Sequence, residues 1–210
     1  SCNSMIAAGI ILLGIAAAVL FFWKVIFLRN PNRTTPEGNY VIAPADGKVI
    51  EVFEFTGEDV HLFKGGKELL GNIYTLTKDV AKSGYIISVF MSPLDVHHNR
   101  APIGGKVVSV KHSDGRFKAV NSFEAGLVNE KTETIIKGPI KVKMIQIAGF
   151  LARRVVTNIK PGDQVTAGQN VGLINLGSQV TVVLPKSVTI KVKKGDRTVA
   201  GETILAEINS

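Results

Sequence analysis

Gly47-Lys48-Val49-Ile50-Glu51-Val52 recurs as Gly105-Lys106-Val107-Val108-Ser109-Val110, and Gly162-Asp163 with Ala167-Gly168 recurs as Gly195-Asp196 with Ala200-Gly201. Each hexapeptide is a glycine and a lysine followed by a mostly apolar, β-branched run, the composition of a strand that leaves a turn. Gly and Asp are turn formers, so the repeats report hairpin geometry and, by themselves, no chemistry. Working outward, Val49-Ile50-Glu51-Val52-Phe53-Glu54-Phe55 alternates for part of its length, and Lys141-Val142-Lys143-Met144-Ile145-Gln146-Ile147 alternates cleanly. Tyr85-Ile86-Ile87-Ser88-Val89-Phe90-Met91 reads as a buried strand, and only Asp79 to Lys82 hints at even a short helix. With 21 glycines at turn spacing, the chain is expected to be mainly β, a barrel or sandwich.

The 210 residues and 45% hydrophobic content suit one globular domain plus an anchor. Ile6 to Trp23 carries no charge, and the apolar run resumes after Lys24 as far as Arg29. Roughly 20 apolar residues cross a bilayer, so an uncleaved N-terminal transmembrane helix is expected. A secretory signal peptide is the rival, but no basic segment precedes the run and apolar residues follow its Ala16-Ala17-Ala18. Lys24, Arg29 and Arg33 follow the span and no charge precedes it, which places the folded domain on the cytoplasmic face of the cell membrane. Ser1 to Ser4, ahead of Met5, read as a tag remnant; Cys2 is then foreign, and a single cysteine forms no internal disulfide. The expected division is tag remnant and anchor over 1–29, a polar Pro-bearing linker over 30–39, and the domain over 40–210.

The net charge of +8 falls wholly in the soluble part and draws it to an anionic membrane surface. Nucleic acid is the competing acidic partner, but neither a helix-turn-helix pattern nor an aromatic-interleaved basic stripe is present, so no nucleic acid is expected. His61 to Gly71, with apolar residues between lysines, suits either a membrane-dipping loop or a loop packed over the barrel.

Leu176-Gly177-Ser178 lies between two apolar runs. Such a tripeptide is commonly an ordinary turn. Held in strain, it can instead cleave itself. The Ser178 hydroxyl attacks the Gly177 carbonyl, the resulting ester is lost by β-elimination, and hydrolysis leaves a pyruvoyl group. A hydroxyl needs a base for this, and a His oriented by a carboxylate supplies one.

Three motifs occur in order: Ala43-Pro44-Ala45-Asp46-Gly47-Lys48-Val49, then Met91-Ser92-Pro93-Leu94-Asp95-Val96-His97-His98-Asn99-Arg100-Ala101-Pro102, then Leu176-Gly177-Ser178. Together with the N-terminal span they resemble the phosphatidylserine decarboxylase family in its short, archaeal-type form, from about Phe27 to the C-terminus. The resemblance implies cleavage between Gly177 and Ser178 into chains 1–177 and 178–210. It also implies a pyruvoyl cofactor derived from Ser178, with no metal and no pyridoxal phosphate. That ketone would form a Schiff base with a serine phospholipid, phosphatidylserine or archaetidylserine, and accept the electron pair left as carbon dioxide departs. Under the resemblance Ser178, His97 and Asp46 are the catalytic residues, His97 as base and Asp46 as its orienter; Pro-Ala-Asp-Gly is also a good β-turn in its own right. Long bacterial members carry a second His three positions after the first, where this chain has Arg100. Either His97 serves both maturation and decarboxylation, or another group such as His98 assists. Asp95, His98, Asn99 and Arg100 are also suited to fixing the loop, and His98 and Arg100 are candidate substrate-binding residues, Arg100 for a lipid phosphate or carboxylate. Oligomeric state is left open, a homo-oligomer included.

The Gly-Asp hairpins are also similar to those of biotinyl and lipoyl carriers, which supplies the rival function: a membrane-anchored barrel-sandwich carrier or transport adaptor without catalysis. A carrier presents its modified Lys at a hairpin tip, usually between two Met residues, whereas Lys143-Met144 falls inside an expected strand. An adaptor would carry a long helical hairpin, and none is visible. A related zinc peptidase lacks support, since His61, His97, His98 and His112 contain no His-x-His pair.

Overall fold

The alternation read from the sequence becomes fourteen strands in a computed structural model that describes residues 2–56, 76–115, 129–149, 155–175 and 178–209. One curled sheet has eight strands in the order β13-β2-β3-β11-β7-β6-β5-β9. These are β2 (Gly47–Thr56), β3 (Ser83–Met91), β5 (Gly105–Ser113), β6 (Lys131–Lys137), β7 (Lys141–Ile147), β9 (Gln164–Val165), β11 (Ser178–Pro185) and β13 (Arg197–Thr198). Two three-stranded sheets complete the fold: β1 (Tyr40–Ile42), β14 (Ile204–Ile208) and β12 (Val188–Ile190), and then β4 (His98–Arg100), β10 (Asn170–Ile174) and β8 (Val155–Thr157). The expected mainly β class is the observed one. Asp79 to Lys82 is not helical, however: in that region helix is described at Leu76 and Thr77, and a turn follows them.

The two sequence repeats are one structural device used twice. Gly162 N–H donates to the Val107 carbonyl while Val107 N–H donates to that of Asp163; Gly195 and Asp196 make the same exchange with Val49, all at 2.8 Å. Asp163 and Asp196 each accept from the backbone N–H three residues earlier, at 2.9 Å. Gly47 and Gly105 sit at φ +151° and +155°, where a Cβ would run into the Phe90 and Lys137 carbonyls. The correspondence extends upstream, pairing Ala43-Pro44-Ala45-Asp46-Gly47 with Ala101-Pro102-Ile103-Gly104-Gly105. The second copy builds this turn with Gly104, so the backbone does not require the carboxylate of Asp46.

β11 is central. Antiparallel pairing joins it to β3 from Ser178↔Met91 to Pro185↔Gly84, and to β7 on its other side. Val180, Val182 and Leu184 enter the main core, whereas Val183 joins Phe55, Leu76, Ile86, Ile145 and Ile147 on the opposite face. On that second face Lys143 is buried between Asp79 and Glu133, at 3.2 and 3.1 Å, which pairs a cation that would be costly alone and leaves it no place on a hairpin tip.

A single N-terminal helix, α1 (Cys2–Phe21), continues as a π-helical turn over Phe22–Phe27. Among the described residues it alone is long and apolar enough to cross a membrane, over Met5–Phe27. From Met5 onward its side chains are largely exposed until Phe27, which is fully buried against the domain.

Candidate active site

β3 ends at Met91, and the chain turns through Ser92 and Asp95 before entering β4. Asp95 closes the turn. Its N–H donates to the Ser92 carbonyl, and its Oδ2 accepts from Ser92 N–H at 2.8 Å and Ser92 Oγ at 2.7 Å. Oδ1 accepts from Arg197 Nη2 at 2.7 Å. The turn aims the Asp95 carbonyl at His97, whose Nδ1 lies 2.8 Å away.

A carbonyl only accepts, so Nδ1 carries the imidazole proton and Nε2 holds a bare lone pair. His97 is fully buried, and among the described residues its Nε2 has no hydrogen-bond partner. Burial drives its pKa down from 6.5 to about 4, against the opposing hydrogen bond and charge of Asp95. The ring is neutral at physiological pH, with an unsatisfied acceptor inside the protein. Such orphans are rare and favour functional positions.

Ser178 opens β11 and is fully buried opposite Met91. Its Oγ rests 3.3 Å from Met91 Sδ, a weak acceptor. Asn99 Nδ2 also points at that sulfur, at 3.8 Å. Gln146 Nε2 donates to Asn99 Oδ1 at 2.8 Å, and Thr157 Oγ1 to Gln146 Oε1 at 3.2 Å. β4 lies along β10, and Ile174 N–H donates to the His97 carbonyl, so the strand leading to residue 178 is pinned to the histidine loop. Gly177 and Leu176 lie outside the described residues, as does His61 to Gly71.

Asp46 is not brought to His97. Its oxygens, 3.2 and 2.9 Å from Arg33 Nη2, also receive Ala200 N–H at 2.7 Å, while Nδ1 of His97 is taken by Asp95. The expected imidazole–carboxylate pair is therefore absent from this arrangement: a nearer cation and an amide satisfy the carboxylate. Arg100 donates to the Gly168 carbonyl, Asn30 Oδ1 and the Pro31 carbonyl, each at 2.9 Å, and so ties the connector to the barrel. His98 accepts from Asn170 Nδ2 at 2.9 Å and also hydrogen-bonds the Leu28 backbone; burial lowers its pKa. Among the described residues no group of three His, Cys, Asp or Glu side chains could hold a metal ion.

A family model described as phosphatidylserine decarboxylase matches residues 20–206. The chain belongs to the phosphatidylserine decarboxylase family. A protein of Methanocaldococcus jannaschii, provisionally named an archaetidylserine decarboxylase proenzyme, is 41% identical over 194 residues, covering 91% of this chain and 93% of its own. One with the same provisional name from Methanothermobacter thermautotrophicus is 39% identical, covering 94% and 86%. A phosphatidylserine decarboxylase proenzyme of Chlorobium phaeovibrioides is also 39% identical, covering 93% and 81%. In this decarboxylase-family fold, sequence reasoning missed Gln146, Phe27 and Arg33 as neighbours of the motif residues, and gave Met91, the first residue of the His97 motif, no role beside Ser178.

Proposed function

We propose that the protein is a self-processing, pyruvoyl-dependent decarboxylase of a serine phospholipid, releasing the ethanolamine phospholipid and carbon dioxide. The observation that carries this reading is the bare, buried Nε2 of neutral His97 on the loop pinned to the strand that leads into buried Ser178. In maturation His97 Nε2 takes the Ser178 Oγ proton, and the hydroxyl oxygen attacks the Gly177 carbonyl, replacing the amide by an ester. Elimination breaks the Ser178 Cβ–O bond and frees the Gly177 carboxylate. One water then enters and one ammonia leaves, giving a ketone at position 178.

The site suits that group. β-pairing with Met91 fixes the backbone of residue 178, Ser178 and His97 are both fully buried, and His97 Nε2 is an acceptor left unfilled by the described residues. The ketone supplies an electron sink for loss of the carboxylate. His97 protects the reaction from water by its burial and, once it holds a proton, is the group to return it to the substrate carbon. For Asp46 to orient the imidazole, its carboxylate must leave Arg33 and replace the Asp95 carbonyl at Nδ1. The anchor keeps the domain at headgroup height on the cytoplasmic face, and the net charge of +8 favours an anionic surface. The chemistry described is shared by phosphatidylserine and archaetidylserine.

The test is release of labelled carbon dioxide from carboxyl-labelled phosphatidylserine in mixed micelles. The wild-type chain should release it and Ser178→Ala should not, since alanine has no oxygen nucleophile. His97→Ala should cleave more slowly by about 10²- to 10⁴-fold, the usual loss for a general base. Equal release by Ser178→Ala would overturn the reading.

A further inference from the structure

The connector between membrane helix and barrel does not hang free. Trp23 stacks on Phe27 with ring centroids 4.8 Å apart, and Phe27 packs on the His97 ring at 4.3 Å. Leu28 receives a hydrogen bond from His98, and Arg29 Nη2 donates to the Leu94 carbonyl at 2.5 Å. Asn30 and Pro31 accept from Arg100, and Arg33 holds Asp46. Six consecutive or near-consecutive residues of the juxtamembrane segment thus meet the two loops that carry the site motifs. Phe27 is the last residue of the apolar span and is itself fully buried.

We propose that Phe27 is a positioning residue: the end of the membrane helix forms one wall of the site and keeps water from His97, so the barrel alone does not complete the base. This rests on the reading of His97 as the base of self-processing. Desolvation is the largest influence on the His97 ring, and an aromatic face at 4.3 Å is a direct source of it. The charged and titratable groups facing His97 are Asp95 from its own turn, which favours protonation, and Arg29 from the connector and His98 from β4, which oppose it. None of these is removed when Phe27 is shortened. Opening the wall therefore acts through solvent access.

The direct measurement is the NMR titration of His97 in the full-length Ser178→Ala chain in micelles, assigned by loss of its signal in His97→Gln. With Phe27 in place the midpoint should lie near 4. Phe27→Ala admits water and should raise it by about 1 to 2 pH units, whereas Phe27→Leu, which keeps the wall apolar, should stay close to the parent. Trp23→Ala, which unstacks Phe27 without exposing a cavity at His97, should give a smaller rise and serves if Phe27→Ala does not fold. In chains that retain Ser178, the acid limb of the self-cleavage profile, each normalised to its own plateau, should move by the same amount. An unmoved His97 midpoint in Phe27→Ala and Trp23→Ala would overturn the proposal. Failure of the wild-type chain to cleave at any pH would overturn the reading of self-processing instead, and leaves the titration result standing.

Discussion

Lowering the pH from 7 should destabilise the folded chain through His97, and replacing His97 should remove that part of the loss. The unfolded imidazole titrates near 6.5 and the folded one near 4. Between those values the unfolded state binds a proton that the folded state refuses, so stability is full above 6.5 and falls as pH drops towards 4. The interval of 2.5 units (6.5 minus 4) corresponds to about 3 kcal/mol at 1.36 kcal/mol per unit. The comparison is urea unfolding, followed by circular dichroism in micelles, of Ser178→Ala with and without His97→Gln, at pH 7.0, 6.0, 5.0 and 4.5. The pair difference should shift by about 2 to 3 kcal/mol across the series, His97→Gln being the less acid-sensitive. Other groups titrate in both chains and cancel. Parallel acid losses in the two chains would refute the burial of a neutral, unpaired ring.

If Arg33 restrains Asp46, Arg33→Ala should speed self-cleavage and Asp46→Asn should slow it, both read on gels over hours; slowing in both would show instead that the ion pair serves only to hold the connector. After cleavage, chains 1–177 and 178–210 should co-elute in size exclusion until denaturant is added. β11 lies between β3 and β7 and buries Val180, Val182, Val183 and Leu184 completely, worth about 1.5 to 3 kcal/mol each. Elution of the short chain by itself in native buffer would contradict that placement.

Strands were legible wherever alternation reported a one-sided face. The expected strand Lys141 to Ile147 is β7 residue for residue, and the Gly-Asp repeats mark hairpins whose hydrogen bonds superpose. What the sequence could not carry were contacts made by distance along the chain. Phe27 and His97 are seventy positions apart (97 minus 27), and nothing local in Trp23-Lys24-Val25-Ile26-Phe27 distinguishes a docked helix end from a free one. The partners of Asp46 in this arrangement lay beyond the sequence for a related reason. Motif reasoning supplies which residues converge, but a carboxylate goes to the strongest donors in reach, and here those are Arg33 and Ala200 N–H. Arg100 was a candidate both for fixing the loop and for meeting a lipid phosphate or carboxylate, and residue type alone could not show that its Nη1 donates to Gly168 and its Nη2 to Asn30 and Pro31 of the connector.

The central claim is that Ser178 becomes the chemical centre by breaking its own peptide bond. Intact mass under denaturing conditions tests it most directly. The account predicts chains 1–177 and 178–210, the second beginning with a ketone and no free amine, and a single uncleaved chain for Ser178→Ala. A wild-type chain that stays whole after long incubation at neutral pH, or a fragment starting with an unmodified Ser178, would contradict it.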